Sequence, residues 1–230
     1  MRALFELLSA QVPSGHWWPG RTRFEIAAGA VLTQNTNWAN ASAAIANLDA
    51  AGLLTPQRLL LADDAHLAAL IRPAGFWKAK TGYLKALACW FQERDPEAQR
   101  LEAGLLRREL LAVRGIGEET ADDLLVYVYD RPVFIYDLYA RRLLAAAGFG
   151  HYPSYGAAKR ALDPLVAEAG FTAAELARFH GLIVDGGKLA RVLGGWEVAY
   201  PLLAAGSLTT AVAGAAARDG AQAARAETCQ

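Results

Sequence analysis

The chain has 230 residues, 54% of them hydrophobic, with 23 basic side chains balancing 23 acidic ones. That is enough apolar material for a sizeable core, in one domain or two closely packed ones, while zero net charge means that any polyanion must be met by a local patch. Two cysteines, Cys89 and Cys229, make neither a disulfide framework nor a four-cysteine metal site; with no long apolar segment in MRALFELLSAQVPSGHWW and no uncharged stretch of membrane-span length, a cytosolic protein is expected.

Ala and Leu dominate and β-branched runs are scarce, so helix is the default state along the chain. Apolar 3–4 spacing predicts helices over 23–34 (RFEIAAGAVLTQ) and, after the loop NTNW, over 39–51. Further helical patterns run over 56–62, 64–72, 77–93 and 103–113, separated by breakers such as Arg72-Pro73-Ala74-Gly75 and Asp95-Pro96. A helix, a glycine hairpin and a second helix follow in LLAVRGIGEETADDLLVYVYD (110–130), and then helices over 137–147, 155–169 and 173–186, with a short one over 187–193. No internal repeat is evident. The small, polar and aperiodic end, 205–230, is expected to be a flexible tail.

The hairpin is the first stretch with a chemical use. Gly115 and Gly117 permit a tight turn and close approach of a ligand to the backbone. The N–H groups of the turn and of the helix beginning near Glu118 form an anion site suited to one phosphate. The same pattern also fits a plain helix connection. Glu118 and Glu119 stand where the anion would arrive. They favour the helix dipole by about 0.3–1 kcal/mol, but Glu118/Asp122 and Glu119/Asp123 are like-charged i,i+4 pairs that cost a few tenths of a kcal/mol each.

The hairpin resembles that of the helix-hairpin-helix DNA glycosylases, the superfamily of endonuclease III. Other stretches resemble that family in the expected order, from about 17 to 195: AGAVLTQNTNW (28–38), IRPAGFWKAKTGYLKAL (71–87), VFIYDLYARRLLAAAGF (133–149) and ARFHGLIVDGGKL (177–189). The resemblance implies an all-α fold of two helical lobes with DNA in the cleft between them. One lobe is a helical barrel over 22–132; the other joins 1–21 to 133–204. It implies a monomeric base-excision enzyme that acts on double-stranded DNA containing damaged bases and is associated with the nucleoid.

By the same resemblance Asp137 is the catalytic carboxylate. Its residue type also suits the N-cap of the following helix, worth about 1 kcal/mol, and both roles are compatible. Breaking an N-glycosidic bond builds positive charge on the sugar, which a fixed carboxylate stabilises. Glu119 occupies the position of the lysine that attacks the sugar in bifunctional members, and a carboxylate cannot form a Schiff base. Strand cleavage is therefore not expected. A glutamate there resembles the bacterial 3-methyladenine glycosylases.

Trp17, Trp18 and Pro19, with Trp38, form an aromatic set outside the helix centres; Trp17 and Trp38 match the aromatics that sandwich an extruded base in alkyladenine-specific relatives. Stacking supplies about 1–3 kcal/mol per base, and a tryptophan face suits the cationic N3-methyladenine. Trp side chains are equally common as packing residues. Gln34 resembles the family's wedge into the gap left by a flipped nucleotide, and also suits a helix end. Lys188 matches a pocket lysine, or a C-terminal cap. His180 reads as a packed helix residue. Arg114, Gly115, Ile116, Gly117 and Thr120 are the expected DNA contacts, with Lys78, Lys80, Arg107, Arg108 and Arg131 as further members of a basic face. The four cysteines that follow 177–189 in cluster-bearing relatives are missing, so no iron–sulfur cluster and no other cofactor is expected; Trp196 and Tyr200 are expected to pack there instead. A glycosylase for neutral lesions and a non-catalytic DNA-binding module remain the alternatives.

Overall fold

A computed structural model describes residues 1–13 and 17–227, with side chains to residue 217; Cys229 lies outside the described residues. Among these residues thirteen α-helices and one 3-10 turn form, and no strand. The chain divides into two compact units. One comprises Trp18–Val133; the other joins Met1–Trp17 to Phe134–Gln230. The divisions fall at 17/18 and 133/134, against the 21/22 and 132/133 read from the sequence.

The central unit carries α2 (Arg23–Thr33), α3 (Trp38–Ala50), α4 (Pro56–Leu61), α5 (Asp64–Leu70), α6 (Trp77–Ala98), α7 (Ala103–Leu111) and α8 (Glu118–Tyr127). Its hub is α2, which packs on α3, α6 and α8. Ala27, Ala28, Gly29 and Ala30 make α2 thin enough to be approached from several sides. Side-chain caps from Thr22, Asn37, Thr55 and Asp63 start α2 to α5, each worth about 1 kcal/mol. The expected break at Asp95-Pro96 does not occur, and α6 runs through Pro96. Asp95 there accepts from Tyr129 Oη at 2.7 Å and pairs with Arg23, which fixes the turn.

Lys80 corrects the sequence reading most sharply. It was expected on a solvated basic face, yet it is 2% exposed. Its Nζ donates to the carbonyls of Leu32, Gln34 and Ala74 at 2.7–2.8 Å. All three N–H groups of the ammonium are thus used, and they tie the end of α2 to the turn before α6. Burial pushes the lysine down to about 8, which leaves it charged at pH 7.

The second unit carries α1 (Arg2–Gln11), α9 (Leu138–Ala146), α10 (Tyr155–Glu168), α11 (Ala173–Val192), α12 (Trp196–Ala204) and α13 (Leu208–Glu227). Here α11 is the hub, in contact with α1, α9, α12 and α13. It starts with a capping box of Thr172 and Glu175, and Arg2 pairs with that glutamate. Phe5, Phe134, Phe171 and Phe179 meet in a chain of ring contacts at 5.3–5.6 Å, which is the heart of the unit's core. The sequence suggested separate helices over 173–186 and 187–193, but one helix spans both. Gly186 and Gly187 are packing notches within it. A Cβ on Gly187 would lie 2.5 Å from Tyr139, and one on Gly186 would crowd Trp196, Leu8 and Val12 at 3.3–3.4 Å.

Where a flexible tail was expected over 205–230, the chain forms α13 over Leu208–Glu227. Leu208 is fully buried and opens α13. Gln11 clamps the junction, donating to Leu203 O at 2.6 Å and accepting from Leu208 N at 3.2 Å. An alanine-rich segment needs only a few such anchors, because its helix propensity is already high.

Candidate active site and nucleic-acid interface

In the central unit the hairpin joins α7 to α8 through residues 112–117. Gly115 has φ +90, and a Cβ there would lie 2.2 Å from Tyr83 Cγ, so only glycine fits. Gly117 has extended backbone (φ −92, ψ −178) with open space around a built Cβ. It is the N-cap of α8, and no side chain caps that helix start. The first amides of α8 are thereby left for water or an outside acceptor. Ile116 is buried between the glycines and pins the turn. Gln34 reaches the hairpin from the end of α2, its Nε2 donating to Gly115 O and Thr120 Oγ1 at 2.9 Å each. Thr120, expected to touch DNA, is 5% exposed and serves Gln34 instead. Gln34 itself, expected as a wedge, is used here to brace the hairpin.

The acids of α8 separate by direction. Arg107 on α7 pairs with Asp122 at 2.6 Å and reaches Glu118 at 3.5 Å. Glu118 and Asp122, a repulsive pair when read from spacing alone, share one guanidinium. Arg107 is therefore consumed within the fold, as is Arg131, which donates to the carbonyls of Tyr129, Gln99 and Leu101. Glu119 stands exposed in the first turn, about 100° round the helix from Glu118. Arg114 and Arg108 are exposed beside the hairpin.

Trp18 and Trp38 pack edge to face at 6.2 Å. Trp18, expected among the base contacts, is 6% exposed and lies on Gly29 and Tyr127. It supports Trp38, which opens α3 and is 36% exposed. Pro19, next to Trp18 in the chain, is exposed.

The second unit holds the other group. Asp137 is the N-cap of α9, and its Oδ1 accepts from Ala140 N at 2.7 Å. Its Oδ2 lies 3.6 Å from His180 Nε2, with both residues buried. His180 carries Trp17 on its ring at 5.6 Å. The Trp17 indole N–H donates to Asp185 Oδ2 at 2.9 Å, and its ring fills the space where a Cβ on Gly181 would be, 2.3 Å away. Lys188 is exposed, donates to Asp185 Oδ1 at 2.8 Å and lies 5.3 Å from the Trp17 ring. It neither caps the helix nor stands alone. His180, Gly181 and Asp185 were not singled out as site residues in the sequence. The i, i+4, i+7 spacing of Gly181, Asp185 and Lys188 puts them on one helix face, but nothing local says that Trp17 lies on it. Trp17 and Trp38 fall in different units.

A family model for HhH-GPD superfamily base excision DNA repair proteins matches residues 28–168. The chain belongs to that superfamily. A Methanocaldococcus jannaschii protein assigned by name to the DNA repair glycosylases is 37% identical over 150 residues, which cover 63% of this chain and 68% of the relative. Among solved structures, the H. pylori 3-methyladenine DNA glycosylase MagIII bound to 1,N6-ethenoadenine aligns with TM-score 0.62 and 28% identity over 81% of this chain and 93% of its own. An endonuclease III–DNA complex aligns with TM-score 0.64 at 17% identity, over 81% of this chain and 84% of its own, a likeness of fold. This HhH-GPD chain is thus a base-excision DNA N-glycosylase. The four-cysteine cluster of some relatives does not suit its residues: Cys89, on α6, is one of two cysteines in the whole sequence. After α11 the chain instead inserts Trp196 into the core, with Tyr200 half-buried against it.

Proposed function

We propose that this glycosylase releases alkylated purines, foremost N3-methyladenine, from double-stranded DNA, without cutting the strand. The observation that carries the reading is the carboxylate of Glu119, exposed in the first turn of α8 at the position where strand-cleaving relatives have an amine. A carboxylate attracts a base that is already cationic and cannot form an imine with the sugar. The amine candidate of the second unit, Lys188, is tied to Asp185. The 28% identity to a 3-methyladenine glycosylase over most of both chains supports the same substrate class.

In this mechanism the C1′–N bond breaks and its electron pair leaves with the base, which becomes neutral. No strong general acid is needed for such a leaving group. Asp137 faces the cation that develops on the sugar; water adds to C1′ as that cation forms and gives up its proton to the carboxylate and from there to solvent. Capping by Ala140 N–H fixes the carboxylate before reaction, so little reorganisation is needed in the transition state. Trp38 offers an accessible ring for a base, and the hairpin holds a phosphate.

The test is to incubate the protein with methylated duplex DNA, identify the released base by mass, and repeat the reaction with borohydride. Free 3-methyladenine with an intact abasic strand and no covalent adduct is expected. Release of only neutral lesions, or a strong adduct, would overturn the reading.

A further inference from the structure

A neutral DNA-binding protein needs a local cationic patch, and half of the one expected around the hairpin is spent. Lys80 is buried, Arg107 is paired with acids, and Arg131 is held by carbonyls. The second unit offers another. An open cavity of about 740 Å³ lies where α9, the end of α11 and the start of α12 meet. Arg142 of α9, Arg191 of the last turn of α11, and His151 line it, and all three are exposed. Several other cations of this unit are engaged: Arg2 with Glu175, Lys159 with Asp163, Lys188 with Asp185, and Arg141 with the carbonyls of Tyr152 and Pro153. Among the described residues, Arg142 and Arg191 are in no such pair.

The backbone beside them is open. Gly194 (φ +97) and Gly195 (φ +120) line the same cavity, and a Cβ built on either meets nothing within 4 Å. Gly195 is the N-cap of the nine-residue α12, with no side-chain cap. Trp196, also lining the cavity and 7% exposed, has its indole N–H buried without a hydrogen-bond partner among the described residues. Against this set of donors stands one carboxylate, Glu197.

We propose that the cavity binds a phosphate of the DNA backbone, giving this unit a grip of its own besides the hairpin. Two guanidiniums lining one cavity, together with the start of a helix, supply the chemistry of phosphate capture. The position fits as well, given Asp137 as the group that acts on the sugar. Arg142 lies five residues beyond Asp137, about 7.5 Å along α9 at 1.5 Å per residue. Tyr139, two residues after Asp137, also lines the cavity.

The experiment measures affinity for undamaged duplex DNA across salt for the full chain, the double variant R142Q/R191Q, and Arg160→Gln as a control with an exposed arginine outside the cavity. One phosphate contact contributes about 0.9 to the slope of log affinity against log salt, or about 15-fold at 50 mM relative to 1 M. The double variant should lose at least that much slope beyond the control. As a second variant, Glu197→Gln should tighten binding more than Glu6→Gln, an exposed acid elsewhere in the unit. A double-variant slope equal to that of Arg160→Gln would overturn the proposal. So would inorganic phosphate raising the melting temperature of the wild type while the DNA slope stays unchanged, since the cavity would then serve small anions. Failure of the Asp137 reading is seen separately, as base release that survives Asp137→Asn.

Discussion

The hairpin glycines make opposite predictions although they are two residues apart. Alanine at Gly115 must adopt φ +90 with its Cβ 2.2–2.7 Å from Tyr83. The backbone conformation costs roughly 1–3 kcal/mol, and forcing a methyl into a filled space adds about 1–3 kcal/mol. A loss of roughly 2–6 kcal/mol should lower the melting temperature by about 4–24 °C for a chain of this size. Weakened DNA binding by Gly115→Ala would then say nothing about phosphate. Gly117 is the clean probe, because its backbone is extended and its Cβ would point into open space. Gly117→Val should change stability by less than about 1 kcal/mol, since the gain from a less flexible unfolded chain offsets a poorer N-cap. It should block close approach of a phosphate to the amides of α8. Losing a charge-assisted hydrogen bond of about 1.5–3 kcal/mol corresponds to roughly 10- to 150-fold in affinity, for lesion-bearing and intact duplex alike. Scanning calorimetry and salt-dependent DNA titration of the two variants would decide. A folded Gly117→Val protein that binds as well as wild type would refute the phosphate role of the hairpin.

Asp137→Asn keeps a side chain that can cap α9 but removes the charge facing the sugar cation; base release should slow by about 100-fold or more with DNA binding nearly intact, as single-turnover rates against equilibrium titration will show. Glu119→Gln should slow release of 3-methyladenine and leave a neutral lesion such as ethenoadenine less affected, and equal losses on both would make Glu119 structural. Lys80→Met leaves three buried carbonyls without their donor and should cost roughly 2–4 kcal/mol by denaturant unfolding. The pH dependence has a definite sign. Folding lowers Lys80 from 10.5 to about 8, so between those values the unfolded chain holds a proton that the folded chain does not. Stability of the wild type relative to Lys80→Met should therefore rise with pH across that window, and a flat difference from pH 7 to 10.5 would exclude the buried assignment.

What could be read from the sequence, and what could not, follows the range of each interaction. Helix periodicity, caps and the hairpin depend on residues within four of one another, so α2 to α11 fall close to their expected places. The misplaced features depend on partners far along the chain. Asp95-Pro96 looked like a break because Tyr129 and Arg23, which hold that turn, are 34 and 72 residues away. Gly186 and Gly187 looked like a helix end because Tyr139 and Trp196, which need the room, are invisible locally. The tail looked mobile because its anchor, Gln11, lies at the other end of the sequence.

The carboxylates of α8 show how such distant partners separate function from structure. Read alone, Glu118, Glu119, Asp122 and Asp123 are four like charges at a helix start, each a candidate for the same role. Arg107, fifteen residues before Asp122, takes Asp122 and Glu118 into the fold. Asp123 is buried, at 8% exposure. Glu119 is exposed in the same first turn as Glu118, but its direction, about 100° round the helix, is another. Trp17 and Trp18 divide in the same way, one laid over His180 beside Asp137 and the other buried beneath Trp38. In each pair identical chemistry at neighbouring positions is assigned by what packs against it. Substitutions that reverse the pair should therefore fail differently: Trp18→Ala through loss of stability, and Trp17→Ala through loss of the face that holds His180 against Asp137.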